Sequence, residues 1–97
     1  MFVVTLRYTR PLEEVDAVRR EHLSWVDEHV AAGTVVAAGR LADATGGVLV
    51  MRAPDRGTLE AVLDGDPYER AGLVEREVVE FTAGRVAPGM EHLADGL

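Results

Sequence analysis

The chain has 97 residues, 17 acidic against 10 basic, with a formal charge of −7 and a pI near 4.8. That balance argues against a phosphate-backbone partner, because nucleic-acid binding needs a net basic footprint, and the lack of cysteine excludes disulfides, thiol nucleophiles and thiolate metal sites. The length fits one domain, 1–97, with a modest core, and no apolar run approaches the roughly 20 residues that span a membrane; with no basic lead-in at Met1–Arg7, the expected location is cytoplasmic.

Phe2, Val4, Leu6 and Tyr8 alternate with less apolar residues, the period of a half-buried strand. Pro11 suits a first helical position, Glu13 and Glu14 complement the helix dipole, and Val15, Val18, His22, Val26 and Val30 follow at helical spacing until Gly33. Thr34–Gly39 and Gly47–Arg52 flank a polar stretch, Asp43-Ala44-Thr45-Gly46, and read as a hairpin. Pro54-Asp55 introduces a second helix through Thr58–Leu63 that stops at Gly65. Pro67–Ala71 adds a short helical turn ended by Gly72, and Val74–Thr82 makes a last strand with Glu77, Val79 and Phe81 on one face. The tail 86–97 has no sustained periodicity and is expected to be irregular, either disordered or lying over a partner.

The order βαββαβ points to an α+β, ferredoxin-like fold: a four-stranded antiparallel sheet with two helices on one face. Such a sheet leaves its other face uncovered, and a second copy of the same sheet is the natural cover, so a homodimer through the open face is expected.

The residues present and absent narrow the chemistry. No lysine occurs, which removes Schiff-base chemistry, and the only serine, Ser24, points roughly 200° away from His22 on the helix. His22 faces inward in an apolar stripe, and Asp66-Pro67-Tyr68 stands at the end of the second helix; a histidine and a held carboxylate can form a proton-transfer pair. Two structural alternatives stay open. His22 can be a packed ring bonded to a carbonyl, and Asp66 can be the cap of Asp66-Pro67-Tyr68-Glu69; one oxygen is expected to cap while the other orients His22.

Tyr68 is a candidate substrate contact through its hydroxyl. Trp25 is read as directed away from His22, a packing or dimer-edge residue. His29, about 10 Å along the same face, is too far to share one metal with ligand bonds near 2.1 Å, so no metal is expected. Five aromatic residues are few for a haem pocket, and the glycines match no nucleotide-binding pattern, so no cofactor is expected either.

Arg19-x-x-His22-Leu23, Ala38-Gly39 and Asp66-Pro67-Tyr68 with Ala71-Gly72 together resemble the YciI-like (YCII-domain) family of the dimeric α/β-barrel group, over the chain to about Phe81. The resemblance implies a ferredoxin-like dimer with a His/Asp site on His22 and Asp66. It also implies cofactor-free acid–base chemistry on a small ring or lactone compound: isomerisation, elimination or lactone hydrolysis. The alternative is a non-catalytic metabolite-binding or structural homodimer. Two departures stand out. Arg40 follows Ala38-Gly39 where many relatives have proline, making it a candidate contact for an anionic substrate, and the tail after Arg85 is longer than in compact relatives.

Overall fold

The computed structural model describes residues 1–95. Strands β1 (Phe2–Tyr8), β2 (Val35–Arg40), β3 (Gly46–Met51) and β4 (Val74–Glu80) form one antiparallel sheet in the order β2-β3-β1-β4. Helices α1 (Leu12–Ala31), α2 (Arg56–Leu63) and α3 (Pro67–Arg70) cover one face, which is the ferredoxin-like arrangement. Among the described residues no helix is long and apolar enough to cross a membrane.

The alternation in β1 does what its period requires: Phe2, Val4 and Leu6 are buried against the helices, while Thr5 and Arg7 are exposed on the other face. Leu49 and Met51 of β3 join that core, with Val15, Trp25 and Val26 of α1 and Leu59 and Leu63 of α2. The open face carries Val50, Val3 and Val79, which lie in register across three strands, and Val48, which lies opposite Thr5.

Element boundaries differ from expectation by one or two residues, for local reasons. Pro11 is the N-cap residue of α1, not its first helical one, because its ψ of 145° is extended. At the other end Gly33 takes a φ of 80°, its N–H bonding Val30 O while Thr34 N–H bonds His29 O. This glycine-based closure draws Thr34 into the helix stop, and β2 begins one residue later than the polarity pattern indicates. A bulge between Val35 and Ala37 then restores the pairing with β3. Asp55 caps α2, its Oδ1 accepting from Thr58 N–H at 2.7 Å. The stretch after β4 forms a single 3-10 turn over Glu91–Leu93 that buries Leu93, and Asp95 accepts from Ala83 N–H at 3.2 Å and from the Met1 amine at 3.1 Å. Residues 96 and 97 of the expected irregular tail lie outside the described residues.

The short helix α3 is tied to the sheet by charge. Arg76, on the helix-facing side of β4, is paired with Glu60 of α2, with Asp64 at 3.0 Å and with Glu69 of α3 at 3.3 Å. Burial holds the Glu69 carboxyl above its ordinary value of 4.5, against the pull of Arg76. Folding therefore favours the protonated form, and the stability it contributes is present below that ordinary value and is lost as pH rises through the raised one. In urea unfolding, the stability of Glu69→Gln relative to the native protein should increase from pH 4 to pH 7; a difference that stays flat or shrinks would exclude this linkage.

Two glycines make a sharper contrast. A Cβ on Gly46 would sit 2.0 Å from the Leu6 carbonyl oxygen, inside the β1–β3 pairing, whereas one on Gly39 would meet nothing within 4 Å. Gly46→Ala should lower unfolding free energy by about 2 kcal/mol or more, and Gly39→Ala should change it by no more than about 0.5 kcal/mol. Similar losses from both would show that close strand approach is not the constraint at position 46.

Candidate functional site

A cleft of about 380 Å³ opens between α1 and the β2–β3 edge of the sheet. It exists because side chains are missing there. Leu23, Val26 and Val30 look down from α1 onto Ala38 and Gly47, which have too little bulk to meet them, while Gly39, paired with Val48, contributes its backbone. Leu23 and Val30 therefore stay 43% and 49% exposed, although both belong to the apolar part of the helix and Val30 was expected to pack. The Ala38-Gly39 pair is thus the floor of a cavity.

His22 lines this cleft, and Asp66 lies behind it. The Asp66 carboxylate is fully buried, and its Oδ1 is 2.7 Å from His22 Nδ1. A carboxylate only accepts, so Nδ1 carries the hydrogen and donates, which leaves the Nε2 lone pair free in the neutral ring. The ring is fixed in orientation as well, stacked on Tyr68 with centroids 3.8 Å apart and planes within 7°.

Asp66 does cap α3, but through the oxygen that also holds His22: Oδ1 accepts Tyr68 N–H at 3.0 Å, while Oδ2 is buried with no hydrogen-bond partner among the described residues. The expected division of labour, one oxygen for each task, does not occur. A ψ of 125° at Asp66 and the fixed ring of Pro67 turn a single carboxylate edge toward both donors. Trp25 also departs from expectation. Its buried ring lies 6.1 Å from that of His22 at 30°, because three helical residues amount to nearly one turn. His29 packs against Trp25 with ring centroids 4.9 Å apart.

Tyr68 and Arg40 both line the cleft. Burial, reinforced by Tyr8, pushes the Tyr68 phenol up to about 12 against the opposing pull of Arg40 and Arg19, so the hydroxyl stays protonated at neutral pH. Arg40 is already engaged: its Nε donates to the Tyr8 hydroxyl at 3.0 Å, a terminal nitrogen pairs with Asp16, and its guanidinium carbon is 5.5 Å from the Tyr8 ring centre. Three polar lining residues were given no site role from the sequence, Tyr8, Arg19 and Asp27. Tyr8 was legible only as the last inward position of a strand. Arg19 stands three residues before His22, so the helical period that placed His22 could have placed it beside the same opening. Among the described residues, no group of three or more His, Asp or Glu side chains is placed to hold a metal ion.

Comparison with known proteins adds a family and a fold. No curated protein matches the sequence. Among solved structures, 5-chloro-2-hydroxyhydroquinone dehydrochlorinase (TftG) from Burkholderia phenoliruptrix AC1100, in complex with 2,5-dihydroxybenzoquinone, matches with a TM-score of 0.71. The two share 23% identity over 87% of this chain and 96% of that one, a likeness of fold. The family model of the YCII-related domain matches residues 1–82, from β1 through β4, and the chain belongs to that family.

Proposed function

We propose that this protein is a cofactor-free enzyme that moves protons on a small organic molecule held in the α1 cleft, with His22 as base and acid and Asp66 as its orienting carboxylate. The carrying observation is the 2.7 Å bond from a cleft-lining ring to a fully buried carboxylate. Capping a four-residue helix does not require a carboxylate at zero exposure, and burying one with an unpartnered oxygen is costly unless the group serves a further purpose.

The chemistry follows from the free nitrogen. Nε2 takes a proton from a carbon or hydroxyl of the substrate, and the released electron pair forms a new double bond. In an elimination a leaving group departs with its own bonding pair; in an isomerisation the proton returns at another carbon. Asp66, bonded to Nδ1, balances the imidazolium that forms. Tyr68, protonated at neutral pH, supplies a neutral donor to developing negative charge, and Arg40 offers the N–H groups not used by Tyr8 and Asp16. The solved dehydrochlorinase of the same fold makes elimination on an oxygenated ring the first version to test.

We further propose that the protein is a homodimer through the open sheet face, where Val3, Val48, Val50 and Val79 form an apolar centre. The native protein should sediment as a dimer, and Val50→Glu, which sets a carboxylate in that centre, should weaken association about a hundredfold or more. A monomeric native protein would rule out this assembly.

For the chemistry, chlorinated hydroquinones and small lactones should be screened by chloride release and ring opening. On a compound that turns over, His22→Ala should lower kcat by about 10²- to 10⁴-fold, and Asp66→Asn by about tenfold or more, in folded protein. Unchanged turnover in both variants would return the pair to packing and capping, as in a non-catalytic metabolite-binding dimer.

A further inference from the structure

The cleft is electrically polarised along α1. Arg19 stands at one end, His22 follows one turn later, and Asp27 lies eight residues from Arg19, about 12 Å along the axis. Between the charged ends the wall is apolar, made by Leu23 and Val26. Arg40 closes the arginine end from the sheet side, because its partner Asp16 stands three residues, nearly one helical turn, before Arg19 on α1.

The two arginines are not equivalent. Arg40 is neutralised by Asp16 and held by Tyr8, so its position is fixed and its charge is spent within the protein. Arg19 has no carboxylate among the described residues within ion-pair distance, although the chain carries 17 acidic residues against 10 basic ones. A protein of net charge −7 repels small anions over most of its surface. Arg19 lines the cleft with its guanidinium exposed and un-neutralised by any carboxylate among the described residues, so it offsets that field locally, where an entering anion meets it.

We propose that Arg19 is the anchor for a negatively charged substrate, and that the cleft selects single-ring organic anions bearing a carboxylate or an ionised enol or phenol. The anionic group meets Arg19 at the Arg40 end, the apolar ring lies along Leu23 and Val26, and Asp27 discourages the reversed orientation. A carbon near the anionic group then comes under His22 Nε2, one helical turn from the anchor. This last placement rests on the acid–base reading; the anion preference does not.

The test is isothermal titration at low ionic strength with benzoate and 4-hydroxybenzoate, each against its neutral amide of the same shape. The native protein should bind the acids about tenfold more tightly than the amides, and Arg19→Gln should remove that preference with little change in thermal stability, since Arg19 makes no side-chain hydrogen bond or ion pair among the described residues. Added salt should weaken acid binding more than amide binding. His22→Gln should keep the preference while losing turnover, which separates the anchor from the chemistry. Equal binding of acid and amide, failure of either acid to bind, or a preference that survives Arg19→Gln would overturn the proposal. A preference that disappears only in Arg40→Gln would overturn it too, and would move the anchor to the sheet. Loss of the preference in Arg19→Gln remains a positive result for the anchor even if His22 proves catalytically silent.

Discussion

A single buried oxygen, Asp66 Oδ1, holds the site together. It accepts from the Tyr68 amide, which starts α3, and from His22 Nδ1, which belongs to α1. A carboxylate in a dry interior is tolerable only when hydrogen-bonded, so the fold is constrained to bring both donors to it. The consequences extend outward: α3 is fixed against α1, the Tyr68 ring is laid flat on the imidazole, and the one nitrogen of His22 that Asp66 does not take is left beside the cleft. The other oxygen of Asp66 has no partner among the described residues, an imbalance that a purely structural cap would not need.

The cleft in front of His22 depends on a second constraint, the close approach of β1, β2 and β3. Gly46 lets the Leu6 carbonyl pass where any Cβ would collide, and Gly47 lies within 3.1 Å of the Gly39 carbonyl when given a Cβ. With the strands in that register, Ala38, Gly39 and Gly47 come to lie under the middle of α1. Close packing fills almost every interior space in a protein of this size, so a gap persists only where the facing residues cannot supply atoms. Small residues on the strands and an uninterrupted helix above them create that gap.

Charge plays two separate parts. Around Arg76 three carboxylates from α2 and α3 converge on one guanidinium, which ties the short helix to the sheet. Around the cleft the reverse holds: Arg40 is satisfied and Arg19 is left without a carboxylate among the described residues. The first arrangement is cohesive, whereas the second presents charge to whatever enters. The same residue type thus serves architecture in one place and recognition in another, and only its partners distinguish the two.

Much of the fold was legible in the residues because it rests on local rules. Alternation marked β1 and β4, the spacing from Val15 to Val26 marked α1, and Asp55, Asp66 and Gly33 marked the helix ends through caps whose donors lie within a few residues. The family pattern on Arg19-x-x-His22 and Asp66-Pro67-Tyr68 pointed to a His/Asp site, and tertiary structure brought those two side chains within 2.7 Å across 44 residues of chain. Which carboxylate oxygen makes that bond, that Trp25 lies beside His22, that Arg40 is already bound to Tyr8 and Asp16, and that Arg19 has no ion pair among the described residues were decided only there. The reason is physical: periodicity and capping depend on residues a few positions apart, whereas hydrogen-bond partners and cavities depend on how strand register and helix packing place side chains that are distant in the chain.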